Sequence, residues 1–199
     1  MASATKKMSV KGLSPCGRVS FPKLFQPEAM EEGKKPKYQV TLALVPGELD
    51  EPGKALFQAM VDAANTCSND LFGCEYKEVL EIDGEKHVIR SPFHLGKSKP
   101  KYYQDNEVFI RFSTYDKPDV VDGLKENITE ESGGMYPGAI ARVSWTCQAY
   151  DHLGNRGVTF YLGNVQKTGK GERFAGGASA QDEFDEVPVE GGDDDTEPF

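Results

Sequence analysis

The sequence predicts a mainly β domain that carries one inserted helix and ends in a disordered acidic tail. Three observations predict it. Apolar and polar residues alternate with period two through several separate segments, the signature of strands with one buried face. A single segment repeats its apolar residues at helical spacing instead, and large apolar residues almost vanish after the AGGASA stretch that follows Phe174.

The clearest strand is Tyr38 to Val45, where Tyr38, Val40, Leu42 and Leu44 alternate with Gln39, Thr41, Ala43 and Val45. A helix is expected from Pro52 to about Cys67. Leu56, Met60, Ala63, Ala64 and Cys67 recur at helical spacing, and Pro52 falls near the first turn, where its missing N–H is harmless. Glu107 to Tyr115 alternates again, with Val108, Ile110 and Phe112 as the core side and Phe109, Arg111, Ser113 and Tyr115 as the other. Ile140 to Tyr150 sets Ala141, Val143, Trp145, Cys147 and Ala149 against Arg142, Ser144, Thr146, Gln148 and Tyr150. The turn-forming run Asp151 to Gly157 leads into Val158 to Val165, where Val158, Phe160 and Leu162 face together, so a long hairpin is expected. Several strands, one helix inserted after the second and long basic loops suit a small, strongly curved sheet. The five-stranded OB-fold, a Greek-key barrel, is the expected form, and a β-sandwich fits the same pattern.

Composition narrows the classes. The chain has 199 residues, room for one domain of ordinary size and an appendage. It lacks both an apolar run of about 18 residues and the apolar N-terminal stretch of a signal peptide, so neither membrane insertion nor export is expected. Cys16, Cys67, Cys74 and Cys147 form no CxxC pair and read as reduced, buried small hydrophobes. The net charge of −9 is concentrated at one end: nine acids and no base lie between Gln181 and Phe199, leaving 23 acids and 23 bases in residues 1–180. A neutral body can still carry a basic groove beside an acidic tail. The division expected is residues 1–176 as the folded, nucleic-acid-binding domain and 177–199 as a tail too poor in apolar residues to fold.

The residues give catalysis little support. His87, His94 and His152 lie apart, none in HExxH or in HxE followed by a cysteine pair, and no P-loop, GxGxxG or GxSxG motif occurs. No enzyme, metal site or cofactor is expected, although carboxylates drawn from distant positions would leave no local signature.

Binding is better supported, because bases and aromatic rings are interleaved. Lys34, Lys35 and Lys37 precede Tyr38, and Lys97, Lys99 and Lys101 run into Tyr102 and Tyr103. Single-strand binders need this combination: cations follow phosphates while flat rings stack on unpaired bases. The non-core strand faces add Arg111 with Tyr115 and Arg142 with Tyr150, arginine being able to pair with phosphate and to stack. Tyr161 points away from Phe160 and joins these candidates, whereas the apolar neighbours of Trp145 place it in the core. The chain ends in DDDTEPF. Asp193, Asp194, Asp195 and Glu197 with Pro198 and an aromatic last residue, Phe199, would offer a ring, a carboxylate and flanking charge to a basic, apolar-floored pocket on a partner. The same acids can fold back on the domain's basic groove and mimic phosphates.

That ending resembles the acidic tips, terminating in Pro-Phe or Asp-Phe, of bacterial and phage single-stranded DNA-binding proteins. From Arg18 to Val187 the chain resembles a bacteriophage family of these proteins. The resemblance rests on RVSFPKLFQP, PKYQVTLALVP, KPDVVD, MYPGAIARVSWTCQAYDHLGNRGVTFYLGNVQKTGKGERFAGG and FDEV in order. It implies an OB-fold without enzymatic activity that coats exposed strands regardless of sequence, duplex DNA being bound more weakly if at all. It further implies service to replication, recombination and repair in the cytoplasm of an infected host, and recruitment of replication or recombination proteins through the tail. It assigns no individual DNA contact, and between Pro92 and Tyr103 this chain is lysine-rich where relatives carry an acidic, glycine-containing segment. The alternative reading is a non-enzymatic phage structural or adaptor protein whose β domain docks on protein.

Overall fold

Strands with one apolar face must bury that face and must also satisfy two edges of backbone groups. Curling five strands into a closed barrel meets both demands. The structure is a computed structural model that describes residues 8–29, 33–82 and 84–173. In chain order the elements are β1 (Val10–Leu13), β2 (Gly17–Glu28), β3 (Lys37–Leu44), α1 (Glu51–Phe72), β4 (Val79–Ile82), β5 (Glu85–Val88), β6 (Phe93–Leu95), β7 (Val108–Thr114), β8 (Val120–Val121), β9 (Ile140–His152) and β10 (Asn155–Gly169). Short 3-10 turns cover Pro46–Glu48 and Gly96–Ser98.

The barrel closes in the order β9–β2–β3–β7–β10 and back to β9. All of its pairings are antiparallel except β7 with β10, which run parallel with Phe112 opposite Phe160 and Ser113 opposite Tyr161. A five-stranded barrel in which the third and fifth strands run parallel is the OB-fold expected from the sequence, with α1 inserted between the second and third barrel strands. β1 continues along the edge of β9 beyond β2, pairing Val10–Leu13 with Ser144–Cys147, and buried Ser14 joins the two segments by accepting from Val143 N–H and donating its own N–H to Val143 O. β6 adds to β7, β8 adds to β10, and β4 with β5 forms a separate hairpin.

The barrel interior is filled from every wall by Val19, Val40, Leu42, Ile110, Phe112, Trp145, Val158, Phe160 and Leu162. Phe160 is its centre, with ring centroids 5.1 Å from Trp145, 5.6 Å from Phe93 and 6.0 Å from Phe112. The helix seals this core with Met60, Ala63, Ala64 and Cys67, and the Cys67 thiol donates to Cys147 O at 3.4 Å. Asp50 caps its start by accepting the Gly53 N–H at 2.8 Å, and Gly73 at φ 72° ends it in the left-handed conformation. It therefore extends beyond the Cys67 boundary to Phe72: Ser68 is buried and Phe72 packs on the core, so the apolar face outlasts the polar run Ser68–Asn69–Asp70.

Two further differences from the sequence reading have simple causes. The turn expected over Asp151 to Gly157 shrinks to Leu153 and Gly154, both at positive φ, because His152 pairs with Asn155 and an Asp151–Arg156 ion pair of 2.7 Å extends the ladder to the tip. Only Cys67 and Cys147 fit the description of buried small hydrophobes; Cys74 is half-buried and Cys16 is exposed, and all four are free thiols. Truncating the central ring, Phe160→Ala, is expected to cost about 3–5 kcal/mol, the usual loss for a buried aromatic; a urea unfolding midpoint close to that of the unaltered chain would contradict this account of the core.

Candidate nucleic-acid interface

Cross-strand register decides which side chains share the outside of the barrel. Thr41 lies opposite Arg111 and Gln39 opposite Ser113; Ser113 lies opposite Tyr161, which faces Thr146, and Thr159 faces Gln148. These residues form one polar outer face across β3, β7, β10 and β9. The chain between β5 and β7 then crosses it. Arg90 bridges to β10, donating its N–H to Arg156 O at 3.0 Å and accepting from Val158 N at 3.1 Å. The approach is close enough that a Cβ on Gly157 would stand 2.7 Å from the Tyr150 hydroxyl and 2.9 Å from the Arg90 Cβ, so only glycine fits there.

Between this crossing segment and the barrel lies a groove of about 370 Å³. Its walls carry Arg90, Lys99 and Arg111, with His94, Tyr150 and Thr159, and no carboxylate. A second small core holds the far wall. Tyr103 stacks on Phe109 with centroids 4.4 Å apart and rings 11° from parallel, over Ala43, and its hydroxyl bonds to the Ser20 hydroxyl at 2.8 Å. Buried Glu107 pairs with Arg18 at 2.6 Å and accepts the Gln104 N–H at 2.7 Å, fixing the turn that precedes β7. Gly96 lets that turn close: a Cβ there would stand 1.9 Å from Gln104 O.

His94 stacks on Phe109 at 5.0 Å. Desolvation, then the Arg111 and Lys99 charges, hold its imidazole below the ordinary histidine range. The groove therefore keeps a neutral ring among cations.

The residues singled out from sequence are distributed unevenly. Lys99, Arg111 and Tyr150 meet in the groove, and Tyr161 stands beside it, exposed, opposite Ser113 of its wall. Lys97 is exposed on the Gly96–Ser98 turn above it. Lys35 and Lys37 converge with Tyr115, their Nζ atoms 4.8 and 4.7 Å from a ring that is 51 % exposed. Lys34 is exposed next to them.

Two residues need correction. Tyr103, grouped with Tyr102 as a base-stacking ring, is only 5 % exposed; the sequence places it after three lysines, but Phe109, assigned to the open face, is itself buried and takes the Tyr103 ring as its cover. Arg142, grouped with Tyr150, stands apart. Its Nε donates to Gln166 Oε1 at 3.0 Å beside Leu13, Val121 and Lys125, and Tyr150 lies eight positions further along β9, roughly 26 Å measured along the strand. Asp193, Asp194, Asp195, Glu197, Pro198 and Phe199 lie outside the described residues, as does the boundary at residues 176 and 177.

The sequence reading missed Arg90 and His94, which no local pattern marks, and Phe21, the ring that meets the expected Tyr102 at the other end of the Gly96–Gln104 turn. There Tyr102, 43 % exposed, meets Phe21, 45 % exposed, edge to face with centroids 5.1 Å apart. Phe21 sits at φ 49° within a break in the β2–β3 register between Ser20 and Lys23. That conformation costs an L-residue roughly 1–2 kcal/mol. The signal available was Pro22: a proline inside a strand-like run marks a bulge. Among the described residues no group of three or more His, Cys, Asp or Glu converges as metal ligands would, and no helix is long and apolar enough to cross a membrane.

An OB-fold barrel with a cationic groove and exposed aromatic rings on its outer face belongs to the oligonucleotide-binding class of β proteins in architecture. Residues 13–196 match the model of the Enterobacter phage Enc34 ssDNA-binding protein family, and the chain belongs to that family. The single-stranded DNA-binding protein of bacteriophage Enc34, solved in complex with ssDNA, superposes with a TM-score of 0.65 at 17 % identity, over 85 % of this chain and 90 % of that one. A second structure of the same Enc34 protein gives 0.63 over 90 % and 92 % of the two chains, again at 17 % identity. Bacteriophage T7 gp2.5, a single-stranded DNA-binding protein, gives 0.58 at 15 % identity over 92 % and 98 %. Comparison with curated proteins gives no match.

The electrostatic account of the groove has a direct test. If Arg111 holds the imidazole neutral, Arg111→Gln is expected to raise the His94 titration midpoint followed by NMR, because removing a cation favours the protonated ring. A midpoint that stays put would exclude Arg111 as a cause and leave burial and Lys99.

Proposed function

We propose that this chain coats single-stranded DNA without reading its sequence and performs no chemistry on it. The observation that carries the reading is the carboxylate-free groove on the barrel's outer face, where Arg90, Lys99 and Arg111 surround the rings of His94 and Tyr150. Guanidinium and ammonium groups take phosphates wherever a backbone passes, and rings take any unpaired base by its face. Neither contact depends on base identity, and stacking requires bases freed from a partner strand. Duplex DNA would keep only the phosphate contacts and bind more weakly. Lys35, Lys37 and Tyr115, with Lys34 beside them, extend the cationic and aromatic surface at one end of β3 and β7. Family membership supports the same ligand.

The role that follows is protection of exposed strands during replication, recombination and repair of phage DNA in the host cytoplasm. The acidic segment from residue 177 onward serves as a partner-binding tail, with Asp193, Asp194, Asp195 and Glu197 steering towards a basic pocket and Pro198 and Phe199 as the anchor. A segment of that charge also competes with DNA for the groove.

Fluorescence anisotropy with a labelled oligothymidine strand over a series of salt concentrations tests the reading. Affinity is expected to fall with salt at a slope of about 0.7 per phosphate neutralised. Arg111→Ala should weaken binding about tenfold and reduce that slope by about one contact, while a chain ending at Ala180 should bind more tightly than the full chain. Absence of binding by both lengths at low salt would refute the DNA-coating reading and favour a protein-docking adaptor.

A further inference from the structure

A groove larger than the cationic one, about 850 Å³, lies on the other side of the same turn. Phe25, Met135 and Pro137 give it an apolar floor, Phe21 and Tyr102 stand at its rim, and Lys23 and Lys101 flank them. The Lys101 Nζ is 5.6 Å from the Tyr102 ring centre; Lys23 is engaged by Glu28 at 2.8 Å in a pair exposed on both sides, the kind that yields readily to another anion. Glu130 lies on the rim too, its carboxylate accepting from Gln26 Nε2 at 2.9 and 3.0 Å.

Phe21 is the informative residue. It is held in a left-handed conformation that glycine or asparagine would adopt with less strain, yet the strain is not returned by burial, since nearly half of the residue faces solvent. An edge-to-face pair with rings 77° apart also leaves at least one ring face uncovered. The two grooves share a wall: Ser98 and Lys99 line the first, Lys101 and Tyr102 the second. Two residues of chain span at most about 7 Å, so a strand leaving the first groove crosses only this lysine turn to enter the second.

We propose that this second groove is a base-stacking subsite, in which an unpaired nucleobase of the bound strand packs against Phe21 and Tyr102 while Lys101 and Lys23 neutralise the phosphates beside it. The proposal rests on the single-strand-binding reading and extends its footprint. A neutral base in an apolar slot with phosphates at the lysine rim suits the charges present.

The test uses the full chain with two labelled probes of equal length, oligothymidine and an abasic oligonucleotide that keeps the phosphates and lacks the bases. Phe21→Ala is expected to weaken oligothymidine binding about tenfold, the loss of one stacked base, with the salt slope and the abasic affinity unchanged; Phe21→Tyr should bind like the unaltered chain. Phe21→Asn, whose side chain tolerates the left-handed backbone, should repeat the loss with an unchanged melting temperature and so separates stacking from folding. Oligothymidine affinity unchanged in both ring-deleting variants, alongside a loss in Arg111→Ala, would overturn the subsite and leave the first groove standing. Failure of the unaltered chain to bind either probe would instead overturn the underlying reading. If Phe21→Ala tightens oligothymidine binding, as much as Phe199→Ala does and no further in combination, the groove holds the tail's ring and the base subsite is wrong.

Discussion

β10 runs for fifteen residues and must satisfy the backbone groups of two edges, only one of which has a continuous partner in β9. Three separate segments share the other edge. Arg90 takes it at Gly157, β7 at Phe160 and Tyr161, and β8 at Val165 and Gln166. The middle contact closes the barrel and brings Phe112 beside Phe160, completing the core. The first contact draws the chain after β5 across the outside of the barrel, and that crossing makes a groove out of a flat sheet face. Arg90, Lys99 and Arg111 are thus neighbours because an edge had to be covered, and the chemistry of the groove is a consequence of barrel closure.

The same constraint explains what could be read from the sequence. β3, β7, β9 and β10 were legible because each alternates cleanly over a wall of the barrel, and α1 because its period is different. β2 was not: Pro22 and Pro27 interrupt it, and its register with β3 breaks twice, so period two fails where the strand bends. Alternation also names the two sides of a strand without saying what covers each. Phe109 sits on the outer side, as its position predicts, but the Lys99–Gln104 turn roofs it with Tyr103. Nor does alternation say where along a coiled strand a side chain ends up around the barrel. Arg142 and Tyr150 share a side of β9 and serve different regions. Lys35, Lys37 and Tyr115 come from distant stretches and do meet, since the register of β3 with β7 aligns the ends of their strands.

Equal numbers of acids and bases in residues 1–180 conceal a field that is far from uniform. Glu107 is buried against Arg18, Asp151 is held by Arg156, and Glu130 accepts from Gln26. These carboxylates are already engaged, and none lines the cationic groove. A groove walled by protein also screens its charges less effectively than open water does. His94 registers the result: it stands beside Arg111 and Lys99 and resists taking a proton. A polyanion in the groove would relieve the part of that resistance that Arg111 and Lys99 cause and leave the larger part, which burial causes.

The groove's walls come from the Arg90 bridge, the lysine turn, β7, β9 and β10, so none of its geometry survives the loss of the barrel. A ligand held there binds the native chain alone and stabilises the whole fold in proportion to its occupancy. The Arg90–Gln104 segment is attached by the two backbone bonds of Arg90, the three pairs of β6 and the Gly96–Glu107 contact, and also by the Phe93 ring against Phe160 and the Tyr103 ring on Phe109. Displacing it would uncover Phe160 and Phe109 as well as break those bonds, so it is held by the same burial that holds the barrel. The segment therefore serves core and groove together: Phe93 and Tyr103 complete the apolar packing, and Arg90 and Lys99 complete the cationic wall.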